Sequence, residues 1–303
     1  MAAKEVTVRV PAKVNLQLSV GPRREDGFHE LATVFHSVAL HDDVTAIRQP
    51  AGSGISLTCD GEGVAEVPLD SSNLAWKAAQ LLADASGVTA DVALRIHKQI
   101  PVAGGMAGGS ADAAGALIAC DALWGLHTPK QELHEIAAVL GSDVPFSLHG
   151  GTAIGSGRGE QLTPVLAKGS FHWVFALASE GLSTAAVYQE CDRLREGKHV
   201  PDPYVSDNLM HALRVGDPVL LGKSLDNDLQ QAAFSLRPAL QRVIEAGEEA
   251  GALGGIVSGS GPTCAFIARD ADHALDIAVA LTSSGLVRSV KRSFGPAHGA
   301  RVI

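Results

Sequence analysis

Residues 101–117 read PVAGGMAGGSADAAGAL, and the reading of this stretch decides how the rest of the chain is understood. Gly104, Gly105, Gly108 and Gly109 bring four residues without a Cβ into six positions. Ordering glycine costs more backbone entropy than ordering any other residue, so such a run points to a loop whose amides approach a bound group closely. The sequence then becomes Ala-rich, which predicts a helix over residues 110–124 opened by Ser110. The first amides of a helix are unpaired and carry a partial positive charge. A glycine loop feeding such a helix is a physical site for a phosphate group. The candidate cradle comprises Pro101, Val102, Ala103, Gly104, Gly105, Met106, Ala107, Gly108, Gly109, Ser110 and Ala111. A tight strand-to-helix turn is the plainer alternative, and alone the loop supports no more than an anion site at a helix start.

Outward from the loop, residues 91–100 alternate through Val92, Leu94 and Ile96, which predicts a strand and gives the order strand, glycine loop, helix. A further helix is predicted over 129–140. Another spans 71–87, capped by Ser71, Ser72 or Asn73 and stopped by Gly87. Toward the N-terminus, residues 6–10 and 14–20 read as two short strands, GPRREDGFHE (21–30) as a charged turn, and 31–47 as strand again. The glycine-bearing stretches around 52–54 and 60–63 read as turns. In the second half, 152–159 is glycine-rich and 171–178 is an apolar strand. Helices are predicted over 183–196, 207–215, 237–251 and 272–284. Strands at 255–258 and 263–268 flank the turn SGSGPT, and a last strand covers 287–293. Strands and helices in mixed order predict an α+β protein. A boundary near 160–170 divides it into domains at 1–165 and 166–303.

A chain of 303 residues suits one large or two medium domains. Its formal charge of -9 argues against a general nucleic-acid surface, while leaving room for an anionic small molecule held by local cations and amides. The start MAAKEVTVRV lacks the pattern of a secretory signal, and no apolar run is long enough for a membrane span. Cys59, Cys120, Cys191 and Cys264 stand far apart, without a CxxC pair or histidines at metal spacing. Reduced thiols, no dedicated metal-ligand set and a cytoplasmic location are therefore expected.

Four other segments could carry chemistry. Gly222-Lys223-Ser224 imitates the end of a Walker A loop, but Asp217 stands where that motif needs glycine, and the preceding residues read as helix, so the match is rejected. PAKVNLQL (11–18) puts Lys13 and Asn15 on one face of a strand, ordinarily just its wet face. GSDVPFSLHGG (141–151) places Asp143 between a helix end and an apolar run, where an Asp is ordinarily a cap or turn residue. SGSGPT alone carries little meaning.

In their order along the chain, PAKVNLQL, PVAGGMAGGSA and SGSGPT resemble the three signature segments of the GHMP kinases, the galactose, homoserine, mevalonate and phosphomevalonate kinase superfamily. The stretches PAKVNLQLSVGPRREDGFHEL, NLAWKAA, LGSDVPFSLHGGTAIGSGRGE and IVSGSGPT extend the resemblance over nearly the whole chain. Within the family they are most similar to the branch acting on a cytidine-diphospho-methylerythritol. The resemblance implies a two-domain fold, with an N-terminal ribosomal-protein-S5-like domain and a C-terminal ferredoxin-like domain. It implies ATP with Mg²⁺, and transfer of the γ-phosphoryl group to the tertiary 2-hydroxyl of that small molecule in the non-mevalonate isoprenoid route. It implies a monomer or homodimer without nucleic-acid or membrane partners.

Carried over residue by residue, the family pattern makes Asp143 the general base and Lys13 its partner, with Asn15 near the substrate. His29 matches a residue that hydrogen-bonds cytosine. Phe28 stands where the family usually has a stacked tyrosine, keeping the ring and losing the hydroxyl. Tyr188 matches a second aromatic on the opposite face of the base, with Thr184 nearby. Asn73 and Lys98 match positions near the adenine, and Ser110 a position by the β- and γ-phosphates or the metal. The loop departs from the usual Gly-Leu-Gly-Gly-Gly to Gly-Met-Ala-Gly-Gly, which requires that position 107 tolerate a Cβ; modest effects are expected. Two alternatives stay open. A GHMP kinase for mevalonate or homoserine is opposed by GFHE and Tyr188. A catalytically silent nucleotide sensor is opposed by intact Lys13 and Asp143.

Overall fold

Long alternating stretches carry the chain through two antiparallel strands, β1 (Glu5–Arg23) and β2 (His29–Arg48), in a computed structural model that describes residues 3–303. The two short strands predicted on either side of Pro11 are one continuous strand. Register shifts between Pro11 and Ala12, between Asn15 and Gln17, and between Val20 and Arg23 absorb the proline as irregularities of the ladder. The first half continues with β3 (Ile55–Gly61), a 3₁₀ turn at Val64–Glu66, α1 (Leu74–Ser86), β4 (Val92–Lys98), α2 (Gly108–Trp124), α3 (Lys130–Leu140), α4 (Val144–His149), β5 (Thr152–Ser156) and β6 (Gln161–Pro164). Then follow β7 (Phe171–Leu177), α5 (Thr184–Arg195), α6 (Asp207–Val215), α7 (Pro218–Lys223), β8 (Asp226–Asn227), α8 (Gln230–Leu236), α9 (Ala239–Glu249), β9 (Gly254–Val257), β10 (Cys264–Ala268), α10 (Ala271–Ser283), β11 (Ser289–Gly295) and β12 (Arg301–Val302).

Two sheets organise these elements. The first runs β12-β1-β2-β4-β3, with β5 and β6 attached beside β2 and β8 beside β1. The second runs β11-β7-β10-β9 with every pair antiparallel. Counted from β7, that order is 4-1-3-2, the arrangement of a ferredoxin-like domain. The chain does not part cleanly at 165/166, because β8 and β12 from the second half complete the first sheet. The tail is pinned there: the Ala297 amide donates to Ser37 Oγ at 2.9 Å, and His298 forms a bridge with Gly150.

The Ala-rich helix α2 is central, with Ala111, Ala113, Ala114, Ala116, Leu117, Ala119 and Cys120 wholly buried. Its small residues let the backbone lie close against the first sheet. A Cβ on Gly115 would fall 2.6 Å from Val44 Cγ2 and 3.0 Å from Val10 Cγ2. Enlarging that position forces an overpacked core at a cost of about 1–3 kcal/mol. The helix begins at Gly108 rather than Ser110, so Gly108 and Gly109 already belong to its first turn. The region of the Walker-like decoy is helix α7, as its sequence predicts. There Gly222 serves packing: a Cβ on it would sit 2.2 Å from the Leu253 carbonyl oxygen. Among the described residues no helix is long and apolar enough to cross a membrane.

Candidate active site

A cavity of about 770 Å³ opens where β1, β2, the glycine loop, the start of α4, α5 and the SGSGPT turn converge. On β1, Lys13 and Asn15 share a face, and both are buried, so this is no wet face of a sheet. The Lys13 ammonium donates to Asn15 Oδ1 at 2.6 Å. Asn15 Nδ2 donates in turn to Thr33 Oγ1 at 2.7 Å, and that hydroxyl donates to the Gln17 carbonyl at 2.7 Å. This chain fixes the amide and, through it, the lysine. Asp143 Oδ2 lies 3.5 Å from Lys13 Nζ. Although Asp143 occupies the N-cap position of α4, its carboxylate accepts no capping hydrogen bond and faces the cavity. A carboxylate in this position, without a capping hydrogen bond, is equipped to take a proton.

The second half of the chain closes this corner. Gly259, in the SGSGPT turn, has φ 58°, and a Cβ there would lie 3.3 Å from both Lys13 Nζ and Asn15 Oδ1. The turn is held by Asn227 Nδ2, which donates to the carbonyls of Val257 and Gly259 at 2.8 Å each. It also grips the glycine loop: Ser258 Oγ donates to the Gly105 carbonyl at 3.0 Å. A Cβ on Gly105 would meet the Ser258 carbonyl oxygen at 2.2 Å, so this glycine is required by packing of the two segments.

Within the loop, Pro101, Ala103, Gly104, Gly105, Ala107, Gly108, Gly109 and Ser110 line the cavity, whereas Met106 and Ala111 are wholly buried in the core and Val102 faces away. The first turn of α2 therefore presents its unpaired amides to the cavity, as a phosphate site requires. Ala107, just before that turn, has φ 60° and ψ 34°. Tolerance of a Cβ there is thus met at the cost of a left-handed backbone.

Asn73 and Lys98 are not brought to the cavity wall. Asn73 caps α1, its Oδ1 accepting from the Ala75 amide at 2.8 Å while its Nδ2 donates to the Pro68 carbonyl at 2.8 Å. Lys98 lies beneath the loop, wholly buried. Its ammonium donates to Asp42 Oδ2 at 2.5 Å and to Asp112 Oδ2 at 2.6 Å. Asp42 Oδ1 also accepts from the amides of Gln99 and Ile100 at 2.6 and 2.9 Å. Burial works to lower the Lys98 pKa, but Asp112 and Asp42 outweigh it and the net direction is upward. Burial pushes the Asp112 carboxyl up to about 7, against the pull of Lys98. This cluster joins β2, β4 and α2 directly under Gly108, whose Cβ position would be 3.2 Å from Lys98 Nζ. In both residues the side-chain polar atoms are engaged within the protein, Asn73 at the start of α1 and Lys98 beneath the loop.

At the far end of the cavity stand Phe28, His29, Thr184 and Tyr188. His29 Nε2 is 2.8 Å from Asp192 Oδ1, and its ring leans on Tyr188 at 5.2 Å between centroids and 31° between planes. Burial, with Asp143 contributing, raises the Tyr188 phenol, so it stays neutral. Thr184 Oγ1 lies 2.9 Å from Ser260 Oγ, tying α5 to the SGSGPT turn. Phe28 is exposed, with the Arg158 guanidinium 5.1 Å from its ring centre. Sequence reasoning missed Arg23, Thr33, Arg158, Asp192 and Ser260 on the cavity lining; Arg23, Arg158 and Ser260 lie inside stretches that carry the resemblance, whereas Thr33 and Asp192 lie outside them. Among the described residues no group of three or more His, Cys, Asp or Glu side chains is gathered for a metal.

Residues 73–151 match the GHMP kinases N terminal domain, and residues 209–286 match the GHMP kinases C terminal domain. The chain is 58% identical over 298 residues to the 4-diphosphocytidyl-2-C-methyl-D-erythritol kinase of Streptomyces avermitilis, covering 98% of this chain and 99% of that protein. It is 55% identical over 298 residues to the protein of the same name from Mycobacterium tuberculosis, covering 98% of this chain and 93% of the relative. A solved structure of a 4-(cytidine 5'-diphospho)-2C-methyl-D-erythritol kinase superposes with a TM-score of 0.75 at 34% identity, covering 96% of this chain and 100% of that one. A mevalonate kinase from L. major, solved with R-mevalonate, reaches a TM-score of 0.77 at 16% identity over 99% and 100% of the two chains, a likeness of fold alone.

Proposed function

The chain belongs to the GHMP kinases, and on that premise we propose that it transfers the γ-phosphoryl group of ATP to the 2-hydroxyl of 4-diphosphocytidyl-2-C-methyl-D-erythritol, giving the 2-phosphate and ADP in non-mevalonate isoprenoid precursor biosynthesis. The acceptor follows from the names of relatives aligned over nearly the full chain. The observation that carries the chemistry is the Lys13–Asp143 pair, 3.5 Å apart, in the same cavity as the glycine loop.

Phosphoryl transfer is mostly positioning and charge stabilisation. The amides of Gly108, Gly109 and Ser110 hold the ATP phosphates at the positive end of α2. The acceptor hydroxyl sits against Asp143, which takes its proton as the oxygen attacks the γ-phosphorus and the bond to the β–γ bridging oxygen breaks. Lys13, held by Asn15, offsets charge gathering on the transferred oxygens. Phe28 and Tyr188 grip the cytosine ring by stacking, and His29, braced by Asp192, offers it a hydrogen bond.

Mg²⁺ is held in nucleotide sites by substrate phosphates with one or two carboxylates and waters rather than by a full protein cage. Ser110, on the cavity lining at the start of α2, fits as a donor beside the substrate phosphates and waters. When bound, the ion neutralises phosphate charge. Four separate free cysteines accord with action in the reducing cytoplasm.

Phosphorus NMR of the product tests the reading. Incubation with ATP and the cytidine-diphospho compound should add one phosphomonoester resonance while leaving the substrate's diphosphate pair intact. Loss of the diphosphate pair, or ADP without a new monoester, would contradict it.

A further inference from the structure

We propose that Arg23 and Arg158 form the subsite for the diphosphate that joins the nucleoside to the methylerythritol unit. This rests on the substrate reading above, which gives the base and the reacting hydroxyl their residues but leaves the linking phosphates without any.

Arg23 ends β1 directly across the ladder from His29, and its Nη2 lies 3.7 Å from where a Cβ on Gly27 would stand. Arg158 occupies the turn between β5 and β6, flanked by Gly157 with φ 70° and Gly159 with φ 109°. That turn is tied to β2: the Leu31 amide donates to the Gly157 carbonyl at 2.8 Å, and the Gly157 amide donates to Glu30 Oε1 at 3.1 Å. Its guanidinium then rests over Phe28. Both arginines line the cavity at the end assigned to the base, where the phosphates attached to the nucleoside must begin.

Their lack of partners is the telling feature. Neighbouring Arg24 is neutralised by Asp26 and Glu30. Lys13 is paired with Asp143, and Asp192 with His29. Among the described residues neither Arg23 nor Arg158 has a carboxylate partner, in a chain with 33 acidic and 24 basic residues. Two solvent-exposed guanidinium groups without an ion-pair partner, on the lining of one cavity, suit a ligand with two adjacent anionic phosphates, since each planar fork matches a phosphate bidentately. A lysine at either position would supply charge without that geometry.

The test measures inhibition by cytidine and by CDP against the cytidine-diphospho substrate, at saturating ATP, for wild type, Arg23→Met and Arg158→Met. In the wild type CDP should bind at least ~10-fold more tightly than cytidine, and each variant should lose about 10-fold of CDP affinity while cytidine affinity holds. The KM for ATP should stay within about twofold. A merely structural arginine would weaken both ligands alike and leave the ratio unchanged. An unchanged ratio, or a raised ATP KM in its place, overturns the proposal while the kinase reading stands. A wild type that neither binds CDP nor turns over the substrate overturns the substrate reading and this proposal with it.

Discussion

Asp143 Oδ2 stands 3.5 Å from Lys13 Nζ, while the lysine makes its shorter bond, 2.6 Å, to Asn15. The carboxylate thus stays close to the ammonium without being tied up in a short hydrogen bond, which leaves it free to accept a proton. Asp143→Asn should lower kcat by about 10²–10⁴-fold, because general base catalysis contributes on that scale. The melting temperature should fall only modestly, since the side chain caps nothing and its pairing with Lys13 is long and half-exposed on the carboxylate side. A variant that kept full turnover would remove Asp143 from the chemistry.

Lys98→Met separates an anchor from a nucleotide contact. It strands Asp42 and Asp112 without their shared cation, and breaking a buried pair costs about 3–5 kcal/mol. Urea unfolding at neutral pH should show that loss. Lowering the pH should return part of it, as Asp112, already raised to about 7, takes up a proton. Unchanged stability with a raised KM for ATP would restore the adenine assignment.

Lys98 also shows how far the sequence could be read. The alternation through Val92, Leu94 and Ile96 that marks β4 continues to position 98, so the pattern already places the lysine on the buried face. The partners that make burial tolerable, Asp42 and Asp112, come from a distant strand and helix that periodicity cannot link. The loop, the shared face of Lys13 and Asn15, and the long helices were legible because each is a local pattern. Helix α4 was not: six residues with Pro145 in its first turn and no side-chain cap give no periodic signal. The strands β8 and β12 are two residues each and exist only through pairing with β1. The ion pair of Lys13 with Asp143 became visible only through the family order, since spacing alone places neither near the other.

Ala107 sits in a left-handed conformation, φ 60°, that costs a non-glycine residue about 1–2 kcal/mol. Ala107→Gly removes the Cβ conflict and returns some unfolded-state entropy, leaving a net gain of roughly 0.5–1 kcal/mol. Thermal unfolding should register an increase of a few degrees at most. A decrease would mean that the Cβ makes contacts worth more than the strain.

His36 is wholly buried between β2, β5 and the second sheet, with its Nδ1 2.9 Å from Thr152 Oγ1 and its ring near Phe171 and Trp173. Burial lowers its pKa from 6.5 to about 4. Below pH 6.5 the unfolded chain takes up a proton that the folded chain refuses. Stability present above that pH is therefore lost as pH falls toward 4, by roughly 3 kcal/mol. In a comparison of melting temperatures at pH 7 and 4.5, His36→Leu should show a shallower fall than the wild type. Parallel falls would exclude this histidine as the cause.

The most direct measurement is ADP release coupled to a reporter, with the cytidine-diphospho-methylerythritol compound, mevalonate and homoserine as alternative acceptors. A site that uses Phe28, His29 and Tyr188 to hold a cytosine should favour the cytidyl compound by at least ~100-fold in kcat/KM, given that losing stacking and hydrogen bonds to a base costs several kcal/mol. Equal or greater turnover of mevalonate or homoserine would contradict the account of the acceptor while leaving a GHMP kinase in place.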